Sequence, residues 1–272
     1  MSKTAAGGNE PNASGSGGPA TGRYVYCIIP TPEVHGFGRI GIGPEPAEVQ
    51  TVNYEGIAAV ASEAPLEVYE PTRENVLAHE RVNETVMREF TVIPMSFGTV
   101  FKTDADIVEL LRSAHDAFRD VLKKMKGKVE YGLKVLWDQE KIIEEIEKQD
   151  ESVRLLRREI SSREGSTYFA RMQYGRLVDS LLEERSEEII ARIMSGLSEV
   201  CAASRVNKPI GDKMILNAAF LVSRSRESDF DSLVSEIASE HPHLSFKYTG
   251  PWPPYNFVNI RLKLERASSE GS

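Results

Sequence analysis

The sequence predicts an α+β fold, because short β-rich runs alternate along the chain with long stretches of helical periodicity. The chain has 272 residues, of which 40% are hydrophobic, so it is long enough to bury a large core. The strand pattern resumes directly after a long helical stretch that ends at Gly127. These three observations favour two α+β domains.

We expect an N-terminal α+β domain over residues 23–127 and a C-terminal domain over residues 128–266. Residues 1–22 are rich in Gly, Ser, Ala and Asn and contain no apolar segment of the kind found in secretion signals. This composition predicts a disordered tail and no export. Residues 267–272 are predicted to form a second disordered tail.

In the first domain, the run Arg23–Ile29 predicts a strand that ends at Pro30. A Gly-rich and Pro-rich stretch follows and is interpreted as a flexible connection to a second short strand at Gly56–Ala61. Thr72 is a plausible N-cap for the next helix. The helix places one buried stripe at Val76, His79, Val82, Val86 and Phe90.

The remaining elements are predicted in the same way, from β-rich runs for strands and from apolar residues at steps of three and four for helices. A single helix is predicted over Asp104–Lys126, and a strand over Val129–Trp137 opens the second domain. Long amphipathic helices and further strands come next. Helices are predicted at Ile142–Ile160, Tyr168–Ala203 and Asp229–Glu240, and strands at Met214–Val222, Leu244–Tyr248 and Phe257–Leu264.

Charge and composition exclude several classes of partner. The net charge is −8 and the isoelectric point is near 5.3, which disfavours binding to a phosphate backbone. No apolar run reaches the roughly 20 residues of a membrane-spanning helix. We therefore expect no nucleic acid and no membrane as partner. Cys27 and Cys201 are interpreted as two buried free thiols.

The sequence contains one misleading motif, at Gly36–Gly41, which has the Gly-x-Gly-x-x-Gly spacing of a dinucleotide-binding turn. That turn must open a helix whose N-terminus binds the pyrophosphate, and Pro44 and Pro46 follow too soon for such a helix. Other nucleotide-binding and catalytic motifs, such as a Walker lysine loop, a nucleophile elbow or a Cys-x-x-Cys pair, are missing. We expect a protein that is not an enzyme and has no cofactor or metal site.

His79 lies on the buried stripe of its helix and has two interpretations. It could be a ligand or a proton-transfer group, which would make the chain a small-ligand-binding or enzymatic α+β protein with a site near His79. It could instead be a core histidine bonded to a neighbouring carbonyl group. No carboxylate, cysteine or second histidine lies at metal-ligand spacing from it, which favours the core interpretation.

Two unusual strings carry most of the information about function. The first, Thr91–Phe101, reads as strand interrupted by Pro94 and Gly98. The second, Lys247–Asn259, contains Gly-Pro-Trp-Pro-Pro-Tyr, which reads as a stiff loop joining two strands and excluded from the sheet by its prolines. We call residues 249–255 the Trp segment.

The two strings resemble those of the gas vesicle proteins F and L, in the same order along the chain. The resemblance covers residues 23–266. The first string matches at Pro94, Phe97, Gly98, Thr99 and Phe101. The second matches over Thr249–Tyr255 and at Phe257.

This resemblance implies a variant ferredoxin-like second domain and a role as a gas vesicle accessory or minor structural protein. Such a protein is cytoplasmic or located at the gas vesicle. It would bind the very apolar wall protein (GvpA type), together with other accessory proteins, prevent wall-protein aggregation and help nucleate the shell. A soluble, charged carrier that offers an apolar groove or a sheet edge suits such a client.

Two surfaces are candidates for partner binding. The first is the Trp segment, with Trp252, Pro253, Pro254 and Tyr255 as the expected binding residues. Trp252 and Tyr255, held by Pro251, Pro253 and Pro254, would present rigid aromatic area at a low entropic cost. The competing interpretation places Trp252 in the core and gives the prolines only a role in the turn. The second surface is the amphipathic helical region from Ile142 to Val200, for which internal packing is the competing interpretation.

Overall fold

The computed structural model of the chain describes residues 20–162 and 168–258. Within them the fold is α+β, as predicted, and is built on two antiparallel sheets. Most of the first predicted tail, all of the second, and the last predicted strand beyond Val258 lie outside the described residues.

The first sheet contains six strands among the described residues, and β1 lies at its centre. Its order is β2-β3-β4-β1-β5, and β6 also pairs with β1. The strands are β1 (Thr21–Ile29), β2 (Gly36–Arg39), β3 (Glu48–Tyr54), β4 (Ile57–Pro65), β5 (Ile93–Pro94) and β6 (Val100–Phe101).

Helices cover both faces of this sheet, and β1 is buried from both sides. On one face, Tyr24 and Tyr26 pack in the cluster that contains Val82 and Val86 of helix α1 (Arg73–Met87). On the other face, Val25 and Ile28 pack in a separate cluster. That second cluster includes buried residues of α2 (Asp104–Ser113) and α3 (His115–Met125). Burial on both faces explains why β1 is a nearly continuous apolar run.

The second sheet has the strand order β10-β7-β9-β8, with every neighbouring pair antiparallel. Its chain order is strand, helices, two strands, helix and strand, which is the ferredoxin-like arrangement. The elements are β7 (Lys128–Trp137), α4 (Gln139–Gln149), α5 (Glu151–Ser162), α6 (Tyr168–Ser198), β8 (Ala203–Val206), β9 (Met214–Ser223), α7 (Glu227–Glu240) and β10 (Leu244–Trp252). The ferredoxin-like expectation is therefore met, with α4 and α5 added before α6.

Several predicted elements needed correction. The stretch predicted as a flexible Gly-rich connection contains β2 and β3, and the strand β8 was missed. Two predicted helices are each broken in two, the first at Ala114 and the second at Asp150. The second break has a clear cause, because the Asp150 side chain accepts a hydrogen bond from the Val153 N–H and so starts a new helix.

The two sheets share one continuous hydrophobic cluster. Buried residues of β1 and α1 belong to the same cluster as buried residues of β7, β9, α6 and α7. The predicted domain boundary, between residues 127 and 128, falls between α3 and β7. The two halves of the chain are thus in contact through a buried surface.

The Trp segment is not the isolated loop that the sequence suggested. Strand β10 continues through Gly250 and Pro251 to Trp252, which pairs with Glu130 of β7. The register shifts between Thr249 and Trp252, so Pro251 lies at an irregularity of a strand at the end of the sheet order. A proline is tolerated there because an edge strand has no second neighbour that needs its N–H.

Gly250 is the position in β10 that least tolerates a side chain. Its φ is +130°, and an added Cβ would lie 2.7 Å from Tyr131 Cδ1 and 2.9 Å from the Glu130 carbonyl oxygen. We expect Gly250→Ala to lower the free energy of unfolding by about 2 kcal/mol or more in urea denaturation.

The matched control is Gly175→Ala on α6, where an added Cβ meets nothing within 4 Å. Because alanine is favoured over glycine within a helix, this variant should gain about 0.5–1 kcal/mol. Equal effects of the two substitutions would contradict the packing described for Gly250.

Candidate functional site

Both signature strings converge on helix α1. The Gly98 N–H donates to Tyr24 Oη at 2.9 Å, and Tyr24 Oη is bonded to His79 Nδ1 at 3.1 Å. One turn further along α1, Asn83 Nδ2 donates to Tyr255 Oη at 3.2 Å. Residues four apart lie on one face of a helix, so the same face of α1 meets both strings. We call this cluster of Tyr24, His79, Glu80, Asn83 and Tyr255 the α1 joint.

The first string reaches the α1 joint through a turn. The predicted strand is reduced to the two-residue strands β5 and β6, and residues between them form the turn. Gly98 has a φ of +80°, a backbone conformation that glycine adopts without steric cost. In this turn the Phe97 ring packs edge-on against His79, with ring centroids 5.8 Å apart.

His79 is a packed core residue. It is 2% exposed, and the rings of Tyr24 and Tyr26 each lie 5.8 Å from its own ring centre. Burial lowers the pKa of His79 to about 4, while the Met95 carbonyl group opposes this shift. The imidazole is therefore neutral at pH 7, and its Nε2 atom is buried without a hydrogen-bond partner. The packed environment favours the core interpretation of this histidine.

Glu80 and Asn83 face the Trp segment. Burial raises the pKa of the Glu80 carboxyl group, and a hydrogen bond with Tyr255 partly offsets that rise. The pKa of the Tyr255 hydroxyl group is also raised. Burial is the largest cause, and the charge of the neighbouring Glu80 is the second. The Tyr255 hydroxyl group is therefore protonated and can donate to Glu80 while it accepts from Asn83.

The structure places the four predicted partner-binding residues at or beside the α1 joint. Pro253 and Pro254 are buried, Tyr255 is half-buried against α1, and Trp252 is half-buried. Because Pro253 and Pro254 are buried, they can hold the neighbouring aromatic residues in place but present little surface of their own. Trp252 is the residue among these four that combines an aromatic ring with a position on an open pocket.

Trp252 lines a pocket of about 320 Å³ between α1 and β10. Arg224, which directly follows β9 and also lines this pocket, donates from Nη2 to the Met87 carbonyl oxygen at 2.9 Å, at the end of α1. The pocket therefore lies where the two halves of the chain meet. Its lining residues are Glu84, Met87, Arg88, Arg224, Gly250, Pro251 and Trp252.

Sequence reasoning missed one important residue, Glu130. It is buried in β7, where its carboxylate accepts from the Asn256 backbone N–H at 2.7 Å and from Asn256 Nδ2 at 2.6 Å. Burial raises the pKa of Glu130 and the two bonds from Asn256 lower it. The signal was available, because a carboxylate within an apolar strand requires a hydrogen-bonding partner. This contact fixes the chain just after the Trp segment.

Two findings concern other kinds of site. Over residues 20–162 and 168–258, no group of three or more His, Cys, Asp or Glu side chains is arranged to hold a metal ion. No helix in those ranges is both long and apolar enough to cross a bilayer. Both cysteines are free thiols, and Cys27 is buried as predicted, whereas Cys201 is partly exposed.

Comparison with known proteins decides the family. A model of the family described as "Gas vesicle synthesis protein GvpL/GvpF" matches residues 22–259, which include both signature strings. The chain belongs to the GvpL/GvpF family. Its role is therefore related to gas vesicles, and this family is not a known family of enzymes.

Two gas vesicle proteins of Halobacterium salinarum share most of the length of the chain. Gas vesicle protein F1 of Halobacterium salinarum is 30% identical over 246 residues, which cover 89% of this chain and 95% of that protein. Gas vesicle protein L1 of the same organism is 28% identical over 256 residues, which cover 88% and 91%. The family resemblance drawn from the two strings is thus confirmed.

Solved structures within the GvpL/GvpF family share the fold. The crystal structure of the gas vesicle protein GvpF from Anabaena sp. aligns with a TM-score of 0.78 at 27% identity, over 89% of this chain and all of that chain. The GvpF structure from Microcystis aeruginosa aligns with a TM-score of 0.73 at 25% identity, over 88% of this chain. The α+β fold is therefore shared with proteins of the same family.

The low pKa of His79 predicts how stability depends on pH. Because its pKa is about 4 in the folded protein and near 6.5 when unfolded, protons bind preferentially to the unfolded chain. The contribution of neutral His79 to the free energy of unfolding is fully present above pH 6.5 and is lost as the pH falls toward 4. We expect the wild-type protein to lose about 3 kcal/mol more than His79→Leu between pH 7 and pH 4, measured by denaturant unfolding. A parallel decline in both proteins would show that His79 does not titrate in this way.

Proposed function

We propose that this protein is a gas vesicle accessory protein that binds the apolar wall protein, keeps it from aggregating and helps to nucleate the shell. Family membership supports a role in gas vesicle synthesis, in the words of the family's description. The observation that carries the binding step is the position of Trp252, half-buried on a pocket lined by residues from both halves of the chain. A tryptophan in such a pocket is the type of residue that dominates binding energy at protein interfaces.

The mechanism of client binding follows from the rigidity of this pocket. Pro253 and Pro254 are buried and Tyr255 is bonded to Asn83, so the main chain after Trp252 is fixed before a partner arrives. A preorganised aromatic side chain loses little conformational entropy on binding. An apolar segment of the wall protein would therefore cover Trp252, and the pocket's charged residues Glu84, Arg88 and Arg224 would stay at the rim.

The alternative function, a ligand-binding or enzymatic site near His79, has less support. The His79 ring is enclosed by aromatic side chains, and its lowered pKa results from the same burial. A general acid or base needs to reach its substrate within hydrogen-bond distance. We therefore propose a non-catalytic binding protein.

The test is co-expression of this chain with the gas vesicle wall protein, followed by affinity purification and a solubility measurement. We expect the wall protein to become soluble and to co-purify, and Trp252→Ala to reduce the co-purified amount by about tenfold. The melting temperature of Trp252→Ala, measured in parallel, shows whether the variant remains folded.

The matched control is Phe169→Ala, which removes another aromatic ring, 72% exposed, from the start of α6. This variant should co-purify the wall protein at the wild-type level. Absence of co-purification with the wild-type chain would contradict direct client binding. Equal losses for both variants would contradict the assignment to Trp252.

A further inference from the structure

A second groove lies between α4 and α6, on the helical layer of the second sheet. It has a volume of about 280 Å³. None of its lining residues lines the Trp252 pocket. They are Ile142, Glu145, Ile146, Gln149, Asp150, Leu181, Glu184, Arg185 and Glu188.

The floor of this helical groove is apolar. Ile142 and Ile146 lie one turn apart on α4, and Leu181 faces them from α6. Ile142 is buried, whereas Ile146 and Leu181 are only partly covered by the rest of the chain. The structure thus leaves apolar surface in a concave position between two helices, where a further apolar side chain would be buried.

The rim of the helical groove is acidic on both sides. Glu145 and Asp150 project from the α4 side, and Glu184 and Glu188 stand one turn apart on α6. Arg185 is the basic side chain among the lining residues, and it already lies 3.9 Å from Glu188. Carboxylates on facing walls repel one another, so positive charge placed between them would be favourable.

The dimensions of the helical groove fit a short helical segment. The lining residues extend from 142 on α4 to Asp150 directly after it, and from 181 to 188 on α6. Each range spans about two helical turns, or roughly 11 Å. A helix of that length presents two apolar side chains one turn apart, with basic side chains on either flank.

We infer that this groove binds an amphipathic, basic helix of another protein. Its apolar side chains would fill the floor over Ile146 and Leu181, and its Lys and Arg side chains would pair with the acidic rim. This surface is separate from the one proposed for the wall protein, so either proposal can fail without the other.

The experiment measures binding of three labelled synthetic peptides to the full chain by fluorescence anisotropy. Each peptide has about 18 residues, enough to form a helix when bound. The first has leucine at helical spacing with lysine elsewhere, the second replaces lysine with glutamate, and the third replaces leucine with serine. We expect the leucine–lysine peptide to bind at least about tenfold more tightly than either of the others, at ~150 mM salt.

Charge reversal locates the binding site. Glu184→Lys with Glu188→Lys should weaken binding of the leucine–lysine peptide by about tenfold. The matched control, Glu144→Lys with Glu187→Lys, changes the net charge equally at exposed positions of α4 and α6 that do not line the groove. Circular dichroism checks that both variants remain folded.

Three outcomes would overturn the inference. Equal weakening by the groove variant and its control would mean that only the net charge of −8 attracts the peptide. Equal binding of the serine–lysine peptide would show that the apolar floor does not contribute. Equal binding of the leucine–glutamate peptide would show that the acidic rim does not select the partner.

Discussion

The structure depends on one constraint, which is that α1 must bury a polar face between the first sheet and the Trp segment. His79, Glu80 and Asn83 all lie on this face, and each keeps at least one buried polar atom without a partner in the structure. A buried polar group without a partner costs free energy. The hydrogen bonds that these three side chains do form are therefore needed to keep the helix face buried. Tyr24 of the first sheet, which itself accepts from the Gly98 N–H, supplies the partner of His79. Tyr255, in the chain that follows the second sheet, supplies the partner of Asn83.

This constraint explains why two strings so far apart in the sequence are both unusual. The turn around Gly98 must direct its N–H toward Tyr24, and the Trp segment must deliver the Tyr255 hydroxyl group to α1. Glu130 then holds Asn256 directly after it. These contacts fix the main chain around the Trp segment, and Trp252 then lies on the pocket between the two halves. The same residues that join the halves therefore prepare the proposed binding surface.

The sequence alone predicted those features that depend on residues close together along the chain. Amphipathic periodicity located α1, α6 and α7 closely, and it was sufficient for the α+β class. It failed for β8, whose four residues are all exposed and thus lack alternation, and for β2, whose Gly residues suggested a connection. It also could not place the Trp segment, because Tyr255 bonds to a residue 172 positions earlier. The helical region from Ile142 to Val200 was a candidate surface from the sequence, but the pairing of α4 with α6 that forms its groove could not be predicted, since the walls come from separate helices.

The most direct test of this account is a double-mutant cycle between α1 and the Trp segment. The free energy of unfolding would be measured for the wild type, Asn83→Ala, Tyr255→Phe and the double variant. If the hydrogen bond between these side chains couples the two halves, the two losses should be non-additive, with a coupling of about 1 kcal/mol. Losses that add within about 0.3 kcal/mol would contradict the central role given to the α1 joint.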